Sequence, residues 1–260
     1  MPPPWSCYKL NMNGAGKGNP GRFGVRDAMI DSLGNLFFGF AQALGEYVGL
    51  TGARLDGAEM LACGLATHFV PVKRLASLEE ALLKVNTTDA AVVSAIIDDF
   101  SLRPPLKEKS PYHSLPIIDK CFSKRTVEGI LSSLELEALN VNNDLISVAI
   151  QSLKKASPTS LKISLRSIRE GRLQGVGQCL TREYRMCCHV LRSELSKDFF
   201  EGCRAILLDK DKNPKWEPSN LELVSNEMVE QYFSKVDDEE WEDLKFSIRP
   251  NMPAFAMAKL

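Results

Sequence analysis

The chain has 260 residues, a formal net charge of -1, a hydrophobic fraction of 44% and a charged fraction of 25%. This length accommodates one large domain or two small ones, and a charge so close to zero provides no overall field that favours nucleic acid or an anionic membrane. No apolar run approaches the roughly 20 residues that span a bilayer, and the N-terminal Met-Pro-Pro-Pro-Trp lacks the layout of a signal peptide. The 7 cysteines are odd in number and irregularly spaced, so we expect reduced thiols in an intracellular compartment.

The first 25 residues are rich in glycine, proline and asparagine and contain no long periodic apolar pattern. Such a segment buries little surface, and we expect it to be disordered or loosely attached. From Asp27 to Val48 the pattern becomes apolar and compatible with a helix. A short helix is predicted from Asp56 or Gly57 to Gly64, followed by a buried strand over Leu65–Val70.

Beyond Pro71 the sequence predicts mostly helices. Ser77, with Glu80 three residues later, has the capping-box pattern for a helix over Leu78–Val85, and residues 101–116 are expected to form a proline-containing loop. Ser157 precedes a proline at the first position of the next helix, a favoured arrangement. The remaining predicted helices span Asp89–Phe100, Thr126–Leu139, Asn143–Lys155, Ser157–Gly171, Val176–Leu195 and Asp198–Leu208, with two short acidic helices before an irregular tail over about 247–260.

Four segments in this order carry a family resemblance. Glu46–Val70 contains Gly-Leu-Thr-Gly-Ala-Arg-Leu-Asp-Gly-Ala-Glu-Met, and Ser157–Arg166 begins with Ser-Pro-Thr-Ser-Leu-Lys. Leu180–Arg185 contains Glu-Tyr-Arg, and Asp198–Pro218 contains Glu-Gly-Cys-Arg-Ala and Asp-Lys-Asp-Lys-Asn-Pro-Lys-Trp. The set resembles 3-hydroxyisobutyryl-CoA hydrolases, especially the plant-type peroxisomal members, within the crotonase (enoyl-CoA hydratase/isomerase) superfamily. It extends from about Gly45 to the C-terminus.

The resemblance implies a helix-rich α/β fold. Residues 45–260 would form the C-terminal part of a crotonase-like domain, namely the end of the spiral of strand-strand-helix units followed by a mostly helical half. Residues 1–44 do not match the family and are expected to form a divergent leader.

The resemblance also implies a reaction. The family hydrolyses 3-hydroxyisobutyryl-CoA, a short branched acyl-CoA thioester, in valine breakdown without a metal or redox cofactor, since coenzyme A belongs to the substrate. Paired backbone N–H groups would polarise the thioester carbonyl. A glutamate and an aspartate eight residues later would supply the carboxylate chemistry.

The catalytic segment of the family has a poor counterpart in this sequence. Asp31 can be aligned with the family's aspartate, but Phe23 then stands where the glutamate belongs, and the glycine-rich oxyanion strands are missing. We therefore expect this copy to lack turnover, as an incomplete gene product, a splice form or a decayed paralogue. The alternatives are a non-catalytic oligomerisation or interaction module derived from the enzyme, and a crotonase-type enoyl-CoA hydratase or isomerase.

Four cations are candidate contacts for coenzyme A. Lys162, Arg166 and Arg169 fall at helical spacing on one face, where they could hold the phosphates of the coenzyme. Lys210 lies in the block where crotonase-like proteins often place a basic residue near the coenzyme. The alternative is that the helix face is solvated or paired with acids of another helix.

Cys187, Cys188 and His189 are adjacent, and neighbours on a helix point about 100° apart, so we expect packing roles and not a shared metal ion. His68 is likewise expected to be structural. The terminal Ala258-Lys259-Leu260 is a variant of the Ser-Lys-Leu signal. We therefore expect a peroxisomal protein whose partners are an acyl-CoA substrate, the import receptor and possible further copies of itself.

Overall fold

The computed structural model describes residues 38–63, 65–172 and 174–246, with side chains described from Ala43 onward. Eleven α-helices are present within these ranges. Their bounds are α1 Phe38–Thr51, α2 Gly57–Ala62, α3 Val72–Leu83, α4 Ala90–Phe100, α5 Leu115–Phe122, α6 Val127–Asn140, α7 Asp144–Lys155, α8 Pro158–Gly171, α9 Val176–Arg192, α10 Asp198–Cys203 and α11 Asn226–Gln231.

Three shorter elements accompany them. A 3-10 turn over Pro111–Ser114 leads into α5, a π-helical turn over Arg204–Leu208 continues α10, and a second 3-10 turn spans Leu221–Leu223. None of the described helices is long and apolar enough to cross a membrane.

Side-chain caps fix several of the predicted helix starts. Thr126 Oγ1 accepts from the backbone N–H of Gly129 at 3.1 Å and begins α6. Asn143 Oδ1 begins α7. Asp56 and Glu59 form a reciprocal capping box at α2. These caps satisfy backbone donors that the first turn leaves without partners, so the predicted starts are confirmed to within a residue.

The main core lies where α1 crosses α5, α7 and α8. Tyr47 of α1 meets Phe122 of α5 edge to face, with ring centroids 5.3 Å apart. Burial of these apolar side chains supplies the main driving force for packing. The largest fully buried side chains are Leu44, Ile118, Phe122, Val127, Ile130, Leu134 and Ile146.

A second, smaller core joins α8 to the C-terminal elements. It contains Ile163, Val224, Val229, Tyr232 and Phe233, and side chains of α9 pack against it. Val224, Val229, Tyr232 and Phe233 thereby pack with Ile163 of α8. This arrangement makes α8 the element shared by both cores.

Three sequence predictions about local structure are wrong. The run Leu65–Val70 is irregular. A strand requires a ladder of backbone bonds to a neighbour. Among the described residues, Leu65 and Ala66 instead donate back to Met60 O, and one backbone bond joins the run to a distant segment, from Leu102 N to Phe69 O at 2.8 Å. Helix α3 begins directly after Pro71 and not at Ser77, because proline is well tolerated at a helix start.

The third error concerns α5, which begins within the predicted loop over 101–116. Its apolar residues are buried on contact with α1, so packing stabilises a helix of only 8 residues.

Helix α9 ends at Arg192, three residues before the predicted end, because Ser193 adopts a left-handed conformation with φ of 58°. The helix-rich character predicted for the chain is confirmed. Helix α1 runs across residue 44, the predicted end of the leader. Residues 1–37 lie outside the described residues, and the division at residue 44 stays a prediction.

Candidate functional site

Three of the four predicted coenzyme A contacts lie on α8, and each of them holds a carboxylate. Lys162 is the first along the helix. Its Nζ lies 2.7 Å from Glu128 Oε1 of α6 and donates to the backbone oxygen of Val224 at 2.9 Å. The side chain is therefore held between α6 and the segment that precedes α11.

Arg166, one turn further along α8, joins the helix to α11. Its Nε lies 2.6 Å from Glu170 Oε1, and its Nη1 lies 2.6 Å from Glu230 Oε2. The guanidinium carbon lies 4.2 Å from the centroid of the Phe233 ring, within the range of a cation–π contact. The hydrogen bond from Arg166 lowers the pKa of Glu230.

Arg169 belongs to a cluster around Glu46, a buried α1 residue with 2% of its total surface exposed. Arg169 donates from Nε to Oε1 of Glu46 at 3.1 Å and from Nη2 to Oε2 at 3.0 Å. Arg172 adds a third bond to Glu46 at 2.8 Å. Arg169 also donates to the backbone oxygen of Lys124 at 2.6 Å and to that of Arg125. We call Glu46, Arg169 and Arg172 the Glu46 cluster.

The Glu46 cluster joins three parts of the fold: α1, the C-terminal end of α8 and the turn between α5 and α6. Two guanidinium groups compensate one buried carboxylate, and fork-shaped guanidinium donors suit this bidentate geometry. The sequence left two possibilities for the cationic face of α8, namely contact with coenzyme A, or a face that is solvated or paired with acids. Pairing with acids is observed for Lys162, Arg166 and Arg169. Contact of these residues with coenzyme A stays a prediction.

Lys210 lies in the loop that follows the π-helical turn and is exposed. Its backbone has a φ of 57°, in the left-handed region. The flanking Asp209 and Asp211 accept from Arg204 Nη1 at 2.5 Å and 2.8 Å. None of the ion pairs within the described residues involves Lys210.

Arg204 also sets the protonation of Glu201. It donates to both carboxylate oxygens of Glu201 at 2.8 Å, and the backbone N–H of Lys215 adds a bond at 2.6 Å. These donors lower the pKa of Glu201 to about 2, since each favours the ionised form. A network of fixed charges therefore shapes the loop that carries Lys210.

Asp198 is a buried carboxylate that sequence reasoning missed. Ser157 Oγ donates to Asp198 Oδ2 at 2.6 Å, and the backbone N–H of Glu217 donates to Oδ1 at 2.9 Å. Ser157 Oγ also accepts from Ser160 N at 3.1 Å, which caps α8. Ser157 and Asp198 lie 41 positions apart, so the only sequence signal was their presence in two of the family-like blocks.

The two histidines singled out from the sequence make ordinary contacts. His189 is buried, and its Nε2 lies 3.2 Å from the backbone oxygen of Ser234. His68 Nε2 lies 3.1 Å from Asp98 Oδ1. Trp241 Nε1 donates to Cys188 Sγ at 3.4 Å. These contacts agree with packing roles for His189, His68 and Cys188, whereas Cys187 is exposed and the packing role predicted for it is wrong.

Asp31 and the terminal Ala258, Lys259 and Leu260 lie outside the described residues. The catalytic alignment of Asp31 and the targeting role of the last three residues stay predictions.

Of the four cations singled out from the sequence, the three on α8 are paired with carboxylates and Lys210 is exposed in its loop. A sequence profile described as enoyl-CoA hydratase/isomerase matches residues 35–233. The chain belongs to this family. The resemblance stated from the four segments and the helix-rich crotonase-type fold are therefore confirmed.

Individual relatives refine the placement within the family. The chain is 64% identical over 216 residues to 3-hydroxyisobutyryl-CoA hydrolase 1 of Arabidopsis thaliana, in an alignment that covers 83% of the chain and 57% of that relative. It is 45% identical over 215 residues to small ribosomal subunit protein mS47 of the same plant, covering 82% of the chain and 52% of that protein.

A solved structure gives the same picture. The fold is similar to a carnitinyl-CoA dehydratase from Mycobacterium thermoresistibile, with a TM-score of 0.59 and 30% identity, over 77% of this chain and 56% of the other. The chain thus spans little more than half the length of the proteins it matches.

Proposed function

We propose that this chain derives from a hydrolase of 3-hydroxyisobutyryl-CoA in valine breakdown, and that its helices form the coenzyme-facing half of such an enzyme. The identity of 64% to an Arabidopsis 3-hydroxyisobutyryl-CoA hydrolase carries this proposal. The four family-like blocks occupy α1–α2, α8, α9 and α10 with the loop that follows it, so the resemblance includes both cores and Lys210.

The 260-residue chain itself hydrolyses the substrate at close to the background rate. Phe23 stands at the position of the family's glutamate, and a phenyl ring can neither accept a proton nor attack a thioester. The assay is chromatographic separation of free coenzyme A from 3-hydroxyisobutyryl-CoA over time, because the free cysteines would react with thiol reagents. The Arabidopsis relative serves as a positive control. Robust turnover by the chain would contradict inactivity, and hydration of crotonyl-CoA would favour the hydratase alternative.

Lys210 contacts the phosphates of coenzyme A, since it is the predicted contact that no carboxylate occupies among the described residues. Isothermal titration with coenzyme A should show binding that Lys210→Ala weakens by about threefold or more, the size expected for an exposed charge contact. Lys212→Ala is the matched control, because Lys212 is exposed in the same loop with a φ of 54°. Equal losses of affinity for the two substitutions would contradict a specific contact between Lys210 and the coenzyme A phosphates.

The chain enters peroxisomes through Ala258-Lys259-Leu260, as a variant of the signal that the import receptor binds. A fluorescent protein fused to the N-terminus should follow a peroxisomal marker, and removal of the last three residues should disperse it. Unchanged localisation after that removal would refute the targeting role.

A second candidate function is a non-catalytic interaction module. The similarity to small ribosomal subunit protein mS47 favours it, because a relative with 45% identity is named as a component of an assembly. The test is co-purification of the tagged chain with an intact 3-hydroxyisobutyryl-CoA hydrolase, measured by multi-angle light scattering. Absence of any complex would leave the first candidate alone.

A further inference from the structure

Residues 237–246 lie along the surface of α9 as an irregular segment. They follow the buried Val236, and within them the backbone N–H of Trp241 donates to Asp238 O at 3.1 Å in a local turn. Their acidic side chains are Asp237, Asp238, Glu239, Glu240, Glu242 and Asp243. We call residues 237–246 the acidic strap.

Two aspartates of the acidic strap bind arginines of α9. Asp243 accepts from Arg185 Nε at 3.2 Å on both carboxylate oxygens, and Asp238 pairs with Arg192, about two helical turns further along α9. The strap therefore runs antiparallel to the helix. Hydrogen bonds from the two arginines lower the pKa values of both aspartates, so both carboxylates are ionised at neutral pH.

Trp241 lies between the two ion pairs. Its ring stacks on that of Tyr184, with centroids 5.7 Å apart and planes inclined by 15°. Its Nε1 donates to Cys188 Sγ at 3.4 Å, and a hydrogen bond with the same thiol raises the pKa of Tyr184. Thr181 Oγ1 donates to the backbone oxygen of Leu244 at 3.3 Å. Trp241 thus covers the thiol of Cys188.

The α9 side chains that contact the acidic strap share one face of the helix. They recur three and four positions apart, the spacing of neighbours on a helix surface, and are Thr181, Tyr184, Arg185, Cys188 and Arg192. The buried side chains of α9 lie on a different face and are Cys179, Arg182 and His189. The residues of both cores lie outside the strap, so the cores do not depend on it.

The contacts of the acidic strap are of a kind that opens readily. The side chains of Asp243 and Arg185 are 21% and 25% exposed, and those of Asp238 and Arg192 are 29% and 34% exposed. Ion pairs with such exposure stabilise little and are screened by salt. A segment held by a few half-exposed side chains opens locally at a low free-energy cost, without global unfolding.

We propose that the acidic strap is a salt-sensitive latch, which opens and closes over Tyr184 and Cys188 while both cores stay folded. The closed strap neutralises Arg185 and Arg192, and the open form presents these two cations and the tyrosine ring to solvent. The latch involves this chain alone and does not depend on the proposed hydrolase activity.

Alkylation of Cys188 by iodoacetamide measures the opening of the latch in the full chain. Peptide mass spectrometry follows the rate, with Cys187→Ser in every variant so that one thiol reacts at this place. Asp238→Asn with Asp243→Asn should raise the rate about fivefold or more, because the amides keep the shape and lose both charges. Raising sodium chloride from about 0.01 M to about 1 M should accelerate alkylation with the aspartates intact, and much less in the double asparagine variant.

The matched control removes the same charge from the same segment. Glu239→Gln with Glu240→Gln alters two exposed strap residues and should leave the alkylation rate of Cys188 unchanged. Buried Cys121 and Cys179 should stay unreacted in every variant, and circular dichroism verifies that each is folded. An unchanged rate in the asparagine variant, insensitivity to salt, an equal effect of the control, or alkylation of Cys121 together with Cys188 would each overturn the proposal.

Discussion

Arg169→Met removes the guanidinium that joins α1, α8 and the α5–α6 turn, while the methionine keeps much of the apolar stem. Among the described residues, Glu46, whose side chain is 3% exposed, then keeps the 2.8 Å bond from Arg172 as its remaining ion pair. Removal of one partner from a buried ion pair costs about 3–5 kcal/mol. Because Arg172 remains and the Arg169 side chain is 28% exposed, we expect a loss near 3 kcal/mol.

Arg166→Met on the same helix is the matched control. One of its partners, Glu230, is 66% exposed, so the ion pair contributes about 0–1 kcal/mol and the contact with the Phe233 ring a similar amount. We therefore expect this control to lose about 1 kcal/mol. Urea unfolding followed by circular dichroism gives the free energy of unfolding for each variant, provided that the transition is two-state.

A double-mutant cycle isolates the pair itself. Glu46→Gln removes the charge that Arg169 compensates, so the double variant should lose less than the sum of the two single losses, with a coupling free energy of about 2 kcal/mol. A loss for Arg169→Met no larger than that for Arg166→Met, or additive losses in the cycle, would show that Arg169 does not stabilise the buried Glu46 carboxylate.

Three further predictions rest on single residues. The pKa of Glu201 is lowered from its ordinary 4.5 to about 2. Its stabilising effect is therefore complete above pH 4.5 and is lost as the pH falls toward 2. Glu201→Gln should make the melting temperature depend less on pH across that window, and an unchanged dependence would contradict this. Burial, and to a smaller extent the charge of Glu59, raises the pKa of the Cys63 thiol to about 11. Iodoacetamide at about pH 8 should therefore alkylate exposed Cys187 long before Cys63, as measured by peptide mass spectrometry. Equal alkylation rates for the two cysteines would contradict this prediction. Gly57→Ala would place a Cβ 2.3 Å from the Phe69 ring. The clash should lower the free energy of unfolding, measured in urea, by about 1–3 kcal/mol, although alanine has the higher helix propensity. A more stable variant would contradict this prediction.

The local predictions succeeded where the determining groups are neighbours in the sequence. Thr126, Asn143 and Ser157 each cap a helix through a bond to a residue two or three positions later. Such bonds depend on residue type and spacing, which the sequence shows directly. The helix starts could therefore be predicted without knowledge of the fold.

The predictions failed where contacts with distant segments determine the local secondary structure. The apolar run Leu65–Val70 has the composition of a strand, but no neighbouring strand lies beside it among the described residues, and backbone pairing is what makes a strand. Helix α5 has only 8 residues and is stabilised by its burial against α1. Composition alone could not distinguish it from the preceding loop.

The candidate site divides in the same way. The sequence placed Lys162, Arg166 and Arg169 on one helix face, and the structure confirms that they share α8. It could not reveal their partners, because Glu46 and Arg169 lie 123 positions apart. The contrast between these paired cations and Lys210, which forms no ion pair within the part of the chain that the structure describes, is a tertiary result.

The sequence by itself determined the family, the helical character and most helix starts, because these follow from residue order and from contacts within one turn. Only the tertiary structure showed that α8 is shared by two cores and that α3 and α4 lie outside both. It also showed that the buried Glu46 carboxylate accepts hydrogen bonds from the guanidinium of Arg169. The physical reason is that burial and ion pairing depend on which distant segments come into contact, and the spacing of residues within one segment does not determine those contacts.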